Sequence, residues 1–123
     1  MGTLVGIDLV PVREVADAIA IHGERYLNRV FSVEELRDCG SDATLLAERF
    51  AAKEATLKAL RAGDASIAWS SIRVRGETAA PTLELTGAAA DLADRRGVIN
   101  LSVSLSRRDG LAAAVVVGQI RDS

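Results

Sequence analysis

ATLLAERFAAKEATLKALRA, residues 43–62, is a dense run of good helix formers; Ser41 or Asp42 suits its N-cap and Gly63 suits its stop. The stretch predicts the longest helix of the chain, from Ala43 to Ala62. Projected at about 100° per residue, Leu46, Phe50, Leu57 and Leu60 fall on one stripe, and Ala47, Ala51, Glu54, Lys58 and Arg61 on an adjoining one. Lys53 points into the apolar stripe, so its ammonium must either reach water along it or find a buried partner. No catalytic role is assigned to it.

Working outward, the C-terminal side reads as strands. Ile99, Leu101, Val103 and Leu105 alternate with Asn100, Ser102, Ser104 and Ser106, and Asp109-Gly110 then turns into the apolar run Leu111 to Val117. This is a hairpin whose last strand is expected to be central and buried. Ile72/Val74 and Leu83/Leu85 form a second, shorter pair of strands, with Pro81 near the start of the second strand and a short helix after it, from about Gly87 to Arg96.

On the N-terminal side, residues 3–10 read as a strand with Val5, Ile7 and Leu9 on one face and Leu4, Asp8 and Val10 on the other. Pro11 is tolerated at a helix start, and Val12, Val15, Ala16, Ile19 and Ala20 continue at helical spacing to about Ile21, with Gly23 as the end. Arg25 to Phe31 is expected to be a linking segment, followed by a brief helix capped by Ser32 with Glu35 three residues on, fading near Gly40. The order of elements predicts one α+β domain over residues 1–123, a long helix packed on an antiparallel sheet.

Composition narrows the function. Nearly half of the 123 residues are apolar but only 3% are aromatic, so a folded chain with an aliphatic core is expected. A formal charge of −2 gives no global attraction to nucleic acid or to an anionic membrane, so electrostatic docking must be local. Cys39 is the lone cysteine, which leaves no intramolecular disulfide and no Cys/His zinc cluster, and a reduced cytoplasmic setting fits. The first residues lack the basic flank and cleavage site of a signal peptide, no apolar run reaches membrane-spanning length, and a protein without a processed leader is expected.

Two features point to chemistry. An ionised Asp8 between Ile7 and Leu9 is costly unless a hydrogen-bond network, a cation or a metal compensates it. On the long helix, Glu54 and Lys58 at i,i+4 form the commonest exposed ion pair of helices, worth only about a few tenths of a kcal/mol. The alternative is that Glu54 meets a metal while Lys58 and Arg61 face phosphate, the alanines leaving room for a ligand close to the backbone. Magnesium is held by one or two carboxylates plus substrate phosphates and waters, and Asp8 and Glu54 would supply the two. His22, the only histidine, reads as a surface residue near a helix end, and the Ser102, Ser104 and Ser106 row reads as the polar face of a half-buried strand.

Three motifs together resemble the holo-acyl-carrier-protein synthase family of 4′-phosphopantetheinyl transferases. They are Gly6-Ile7-Asp8-Leu9-Val10; Glu48-Arg49-Phe50-Ala51-Ala52-Lys53-Glu54-Ala55 with Lys58-Ala59; and Val103-Ser104-Leu105-Ser106. Arg25 to Phe31 and Trp69-Ser70-Ser71-Ile72 resemble it too, in the same order and at similar spacing. The resemblance implies the 4′-phosphopantetheinyl transferase fold and a homotrimer with coenzyme A bound between neighbouring subunits. Asp8 and Glu54 would hold magnesium, Lys58 would lie beside the pyrophosphate as the third catalytic residue, and Arg49, Arg61, Gly63, Ser106 and Arg107 would complete the coenzyme A contacts. The implied reaction is attack of an acyl carrier protein serine on the β-phosphate of coenzyme A, releasing 3′,5′-adenosine bisphosphate. A carboxylate, or a water activated near Asp8 or Glu54, would accept the serine proton. Carriers of this kind are acidic near the modified serine, so Arg13, Arg25 and Arg29 are the implied docking residues.

The chain departs from the family pattern in two places. Arg107 stands where the family carries histidine, and arginine cannot act as a base but binds phosphate well. Arg61 stands where the family favours glycine. Either both arginines take over phosphate contacts, or the chain binds coenzyme A or a carrier without transferring the arm.

Overall fold

The computed structural model describes residues 1–122. Strand β1 (Gly2–Pro11) leads into helices α1 (Val12–His22), α2 (Glu24–Val30), α3 (Val33–Cys39) and α4 (Ala43–Ala59). A single 3₁₀ turn at Trp69–Ser71 precedes β2 (Ile72–Arg75) and β3 (Thr82–Leu85), followed by α5 (Gly87–Arg95) and the hairpin β4 (Val98–Arg108) and β5 (Leu111–Ile120). The strands form an antiparallel three-stranded sheet in the order β1-β5-β4 and a separate β2-β3 pair. The expected α+β arrangement is therefore present, with α4 lying on β1 and β5.

Local chemistry accounts for most boundaries. Asp42, rather than Ser41, caps α4 by accepting hydrogen bonds from the amides of Thr44 and Leu45 at 2.9 and 3.1 Å, a contribution of about 1 kcal/mol. Ser32 and Glu35 complete the capping box of α3 at 3.2 and 2.9 Å. Asp109 and Gly110 both take positive φ, 52° and 77°, as a two-residue type I′ hairpin turn demands.

Three expectations are corrected. Residues 24–30 form a helix rather than a linking segment; its N-cap, Gly23, makes no side-chain capping bond, so no local signal marks its start. The long helix ends at Ala59, not Ala62, because Arg61 adopts φ 52° and breaks the helical path before Gly63 is reached. β5 is central, as expected, but only its inner face, Ala112, Ala114, Val116 and Gly118, is buried, while Val117 on the outer face is exposed.

The core is where α4 meets the sheet. Ala47, Ala51, Ala52 and Ala55 are fully buried together with Leu4, Val10, Leu46, Ala114 and Val116. The alanine face thus receives the sheet and offers no room to a ligand. The decisive contact is Gly6, where a Cβ would stand 1.8 Å from the carbonyl oxygen of Ala55 and 2.8 Å from the amide nitrogen of Ala59. Only glycine lets β1 approach the helix backbone so closely.

Lys53 resolves its conflict by burial with a partner. Its ammonium meets Glu35 Oε1 at 2.8 Å and also donates to the carbonyls of Trp69, at 3.1 Å, and Ile72. Glu35 Oε2 accepts from the Val74 amide at 3.0 Å, so the pair ties α3, α4 and β2 together. Burial pushes the Lys53 pKa down, and the adjacent Glu35 opposes that shift. Removing one partner of such a pair costs about 3–5 kcal/mol.

Gly6→Ala should destabilise the protein by about 3 kcal/mol, because the atoms it meets are backbone and cannot rotate away. Urea unfolding would check this; a loss below about 1 kcal/mol would mean that β1 can lift off α4 at little cost.

Candidate functional site

Side chains alternate along β1, so Asp8 shares the inner face with Gly6, next to the last turns of α4. Because Gly6 seats on Ala55 and Ala59, the neighbouring residues Glu54 and Lys58 arrive beside Asp8. Lys58 Nζ donates to Asp8 Oδ1 at 2.8 Å and to the carbonyl of Ile7 at 3.1 Å. Among the described residues the ion pair of Lys58 is thus with Asp8, fifty positions away, rather than with Glu54 on its own helix. An ammonium thus stands beside Asp8.

The electrostatics are those of two carboxylates sharing one cation. Burial raises the Glu54 pKa, the charge of Asp8 raises it further, and Lys58 pulls it back. The Asp8 hydrogen bond in turn raises the pKa of Lys58, so its ammonium stays charged. By contrast, Cys39 is buried and its thiol is pushed up to about 11, mainly by burial, which leaves it no nucleophilic role.

A cleft of about 420 Å³ opens beside this cluster, lined by Glu54, Leu57, Lys58, Arg61, Ala62 and Gly63 together with Ile67 and Trp69. Trp69 is fixed by its ring contact with Phe50, 5.3 Å between centroids, and by the Lys53 bond to its carbonyl. The left-handed turn at Arg61 places that side chain on the cleft wall, exposed to solvent. The result is a cleft with Glu54, Lys58 and Arg61 in its lining and Asp8 bonded to Lys58 beside it.

The sequence profile of the 4′-phosphopantetheinyl transferase superfamily matches residues 4–116. The chain belongs to that superfamily. It is 38% identical over 121 residues to a holo-[acyl-carrier-protein] synthase of Herpetosiphon aurantiacus, covering 92% of this chain and 95% of the relative. Its fold matches the Helicobacter pylori holo-[acyl-carrier-protein] synthase in complex with coenzyme A, with TM-score 0.84, 29% identity, and 94% and 100% of the two chains covered. The Chronobacterium ammoniagenes ACPS-CoA complex matches with TM-score 0.83 at 29% identity, over 99% and 100% of the chains.

Against this phosphopantetheinyl transferase fold, the residues singled out in the sequence divide into groups. Asp8, Glu54, Lys58, Arg61 and Gly63 come together. Arg49 and Arg107 do not join them; they line a different cleft of about 310 Å³ with Asp38, Gly76 and Thr78. Arg49 is buried and donates to the Gly76 carbonyl, while Ser106 and Arg107 are exposed on β4. Arg25 and Arg29 lie exposed on α2 and line a third cleft with His22 and Tyr26; Arg13 is exposed on α1. Leu57, Ile67 and Glu48 were not anticipated as cleft or charge-cluster residues. For Glu48 the available signal was a second carboxylate on the crowded side of α4, next to Arg49.

The electrostatic account predicts that, in metal-free protein, Asp8→Asn lowers the Glu54 pKa towards its ordinary value and Lys58→Met raises it further. Carboxyl-carbon NMR titration reads both shifts. Since the folded pKa of Glu54 is raised, its contribution to stability is present below the unfolded pKa and is lost as pH rises through the folded one. Glu54→Gln should therefore stabilise the protein at pH 7 and lose that advantage under acid conditions.

Proposed function

We propose that this chain is a holo-[acyl-carrier-protein] synthase whose residues 1–123 form one transferase domain working in the cytoplasm. It moves the 4′-phosphopantetheine arm of coenzyme A to a serine of an apo acyl carrier protein and releases 3′,5′-adenosine bisphosphate. The observation that carries this reading is the meeting of Asp8, Glu54 and Lys58 at one end of the cleft walled by Arg61 and Gly63.

The donor set fits magnesium. It consists of oxygens, the two carboxylates with the Ile7 carbonyl nearby, and an ammonium already stands as cation at Asp8. Among the described residues no group of three or more His, Cys, Asp or Glu gathers at one place, so substrate phosphate and water must complete the coordination. Asp8 and Glu54 would hold the ion, which when bound neutralises charge on the pyrophosphate and orients it for in-line displacement. Lys58, half exposed and held by one carboxylate, can turn to the phosphate oxygen that accumulates charge as the leaving group departs. Arg61, which lines the same cleft, adds a second cationic contact.

The outer face of the sheet supports a homotrimer with shared clefts. Val5, Ile7 and Leu9 are 53%, 57% and 63% exposed on β1, beside Val117 of β5, an apolar surface that copies of the same chain would cover. Arg49 and Arg107 sit apart from Lys58 within one chain, which suits a coenzyme A molecule reaching across two subunits. The expected outcome in sedimentation equilibrium is a trimer, with Ile7→Glu shifting it to monomer; a monomeric parent protein would refute the shared-cleft reading.

The activity is tested by the intact mass of an apo carrier incubated with the protein, coenzyme A and magnesium. A phosphopantetheine-sized gain is expected, absent without metal and reduced at least a hundredfold in rate by Asp8→Ala or Glu54→Ala, on the order of what loss of metal-ligand support costs. In the same assay, Arg25→Ala and Arg29→Ala should raise KM for the carrier more than for coenzyme A, with a salt-sensitive association rate. No gain on several carriers, despite binding of coenzyme A, would leave a non-catalytic binder of the same fold.

A further inference from the structure

Glu48 is a carboxylate with no access to solvent, and the groups around it are unevenly paired. Thr78 Oγ1 donates to its Oε1 at 2.7 Å, and Arg49 Nη1 stands 3.9 Å from that same oxygen. The other oxygen, Oε2, makes no hydrogen bond and faces Arg107 Nε at 3.9 Å. Arg49 is also underused, since its Nε and Nη1 are buried and lack partners although its Nη2 is bonded to Gly76. Of the acids on the same cleft, Asp38 is already taken by Arg75, at 2.7 and 3.4 Å, and Glu77 lies exposed on the rim.

Arg107 needs something to hold it. It projects from the exposed end of β4, one residue before the final strand position and three before the turn glycine, and it is a long side chain with large rotamer freedom. A flexible arginine binds a phosphate weakly because the freedom is lost on binding; one held in place beforehand loses less. Glu48 contacts it through Nε, at the stem of the guanidinium, which leaves the two terminal nitrogens of the fork for another partner.

We propose that Glu48 is a positioning residue: its buried carboxylate fixes the Arg107 guanidinium at the mouth of the Arg49 cleft, so that the free end of the fork meets a phosphate oxygen of coenzyme A. This rests on the reading of Arg107 as a coenzyme A contact.

The test is a double-mutant cycle in the magnesium-supplemented transfer assay, titrating coenzyme A at saturating apo carrier. Glu48→Gln, of equal size and without charge, should raise KM for coenzyme A about tenfold, the lower end of what outer supporting residues cost. KM for the carrier should stay within about twofold. Arg107→Ala should raise KM for coenzyme A by at least as much, and adding Glu48→Gln to it should cost nothing further. Full additivity of the two losses would overturn the proposal, because Glu48 would then act independently of Arg107. An unchanged KM in Arg107→Ala would overturn the reading of Arg107 itself, and the proposal with it. Should Glu48→Gln fail to fold, nitrogen-15 relaxation of the Arg107 Nε–H in the parent protein decides: an ordered group is expected, and a freely averaging one overturns the proposal.

Discussion

Everything in this structure depends on how closely β1 approaches α4. A strand and a helix normally keep a side chain's thickness between their backbones, but Gly6 has none and Ala55 and Ala59 have almost none. One missing side chain and two small ones let the strand close onto the helix. It fixes the register between two segments fifty residues apart and sets Asp8 beside Glu54 and Lys58. The site is a consequence of packing: its geometry would be lost by a methyl group at Gly6, well inside the core.

Two lysines five positions apart on α4 show how burial assigns roles. Lys53 and its partner Glu35 are both sealed from water, with carbonyls and amides taking up their remaining hydrogen-bonding capacity. Such a pair has no freedom to engage a ligand, and its breakage would be paid in stability. Lys58 makes an ion pair of the same 2.8 Å length, but its side chain is half exposed and its partner is a single carboxylate oxygen. An exposed pair contributes little to stability, so it can be exchanged for a phosphate or a metal at small cost. The same residue types at the same distance serve the fold in one case and chemistry in the other.

Much of this was legible in the sequence because it follows from local rules. The alternation of β4, the Asp109-Gly110 turn, the Ser32/Glu35 capping box and the Gly23 and Gly40 stops all act within a few residues, and each is found as expected. Asp8 was conspicuous as a charge between apolar neighbours, and Glu54 as an acid sharing a helix face with Lys58 and Arg61. Helix α2 was not legible, since it has seven residues and no side-chain cap. The Lys58–Asp8 bond was not legible either, because the i,i+4 rule favours Glu54 and only the tertiary approach at Gly6 brings Asp8 nearer. The alanines of α4 misled for a related reason: a small-residue face can admit a ligand or another backbone, and spacing does not distinguish the two.

The end of α4 marks where the chain gives up local stability. Arg61 adopts φ 52°, a conformation that costs a non-glycine residue about 1–2 kcal/mol, and it does so at the point where the helix breaks and the cleft begins. Glycine would take that turn freely, and Gly63, two residues on, also has positive φ. What glycine lacks is a side chain. With arginine there, the strained turn that ends the helix also sets a guanidinium in the lining of the cleft that holds Lys58. Strain of this size persists only where the surroundings hold the backbone in place, and here the preceding residue, Leu60, is fully buried. Position 61 is therefore where packing, backbone strain and the charge of the cleft are set by a single residue.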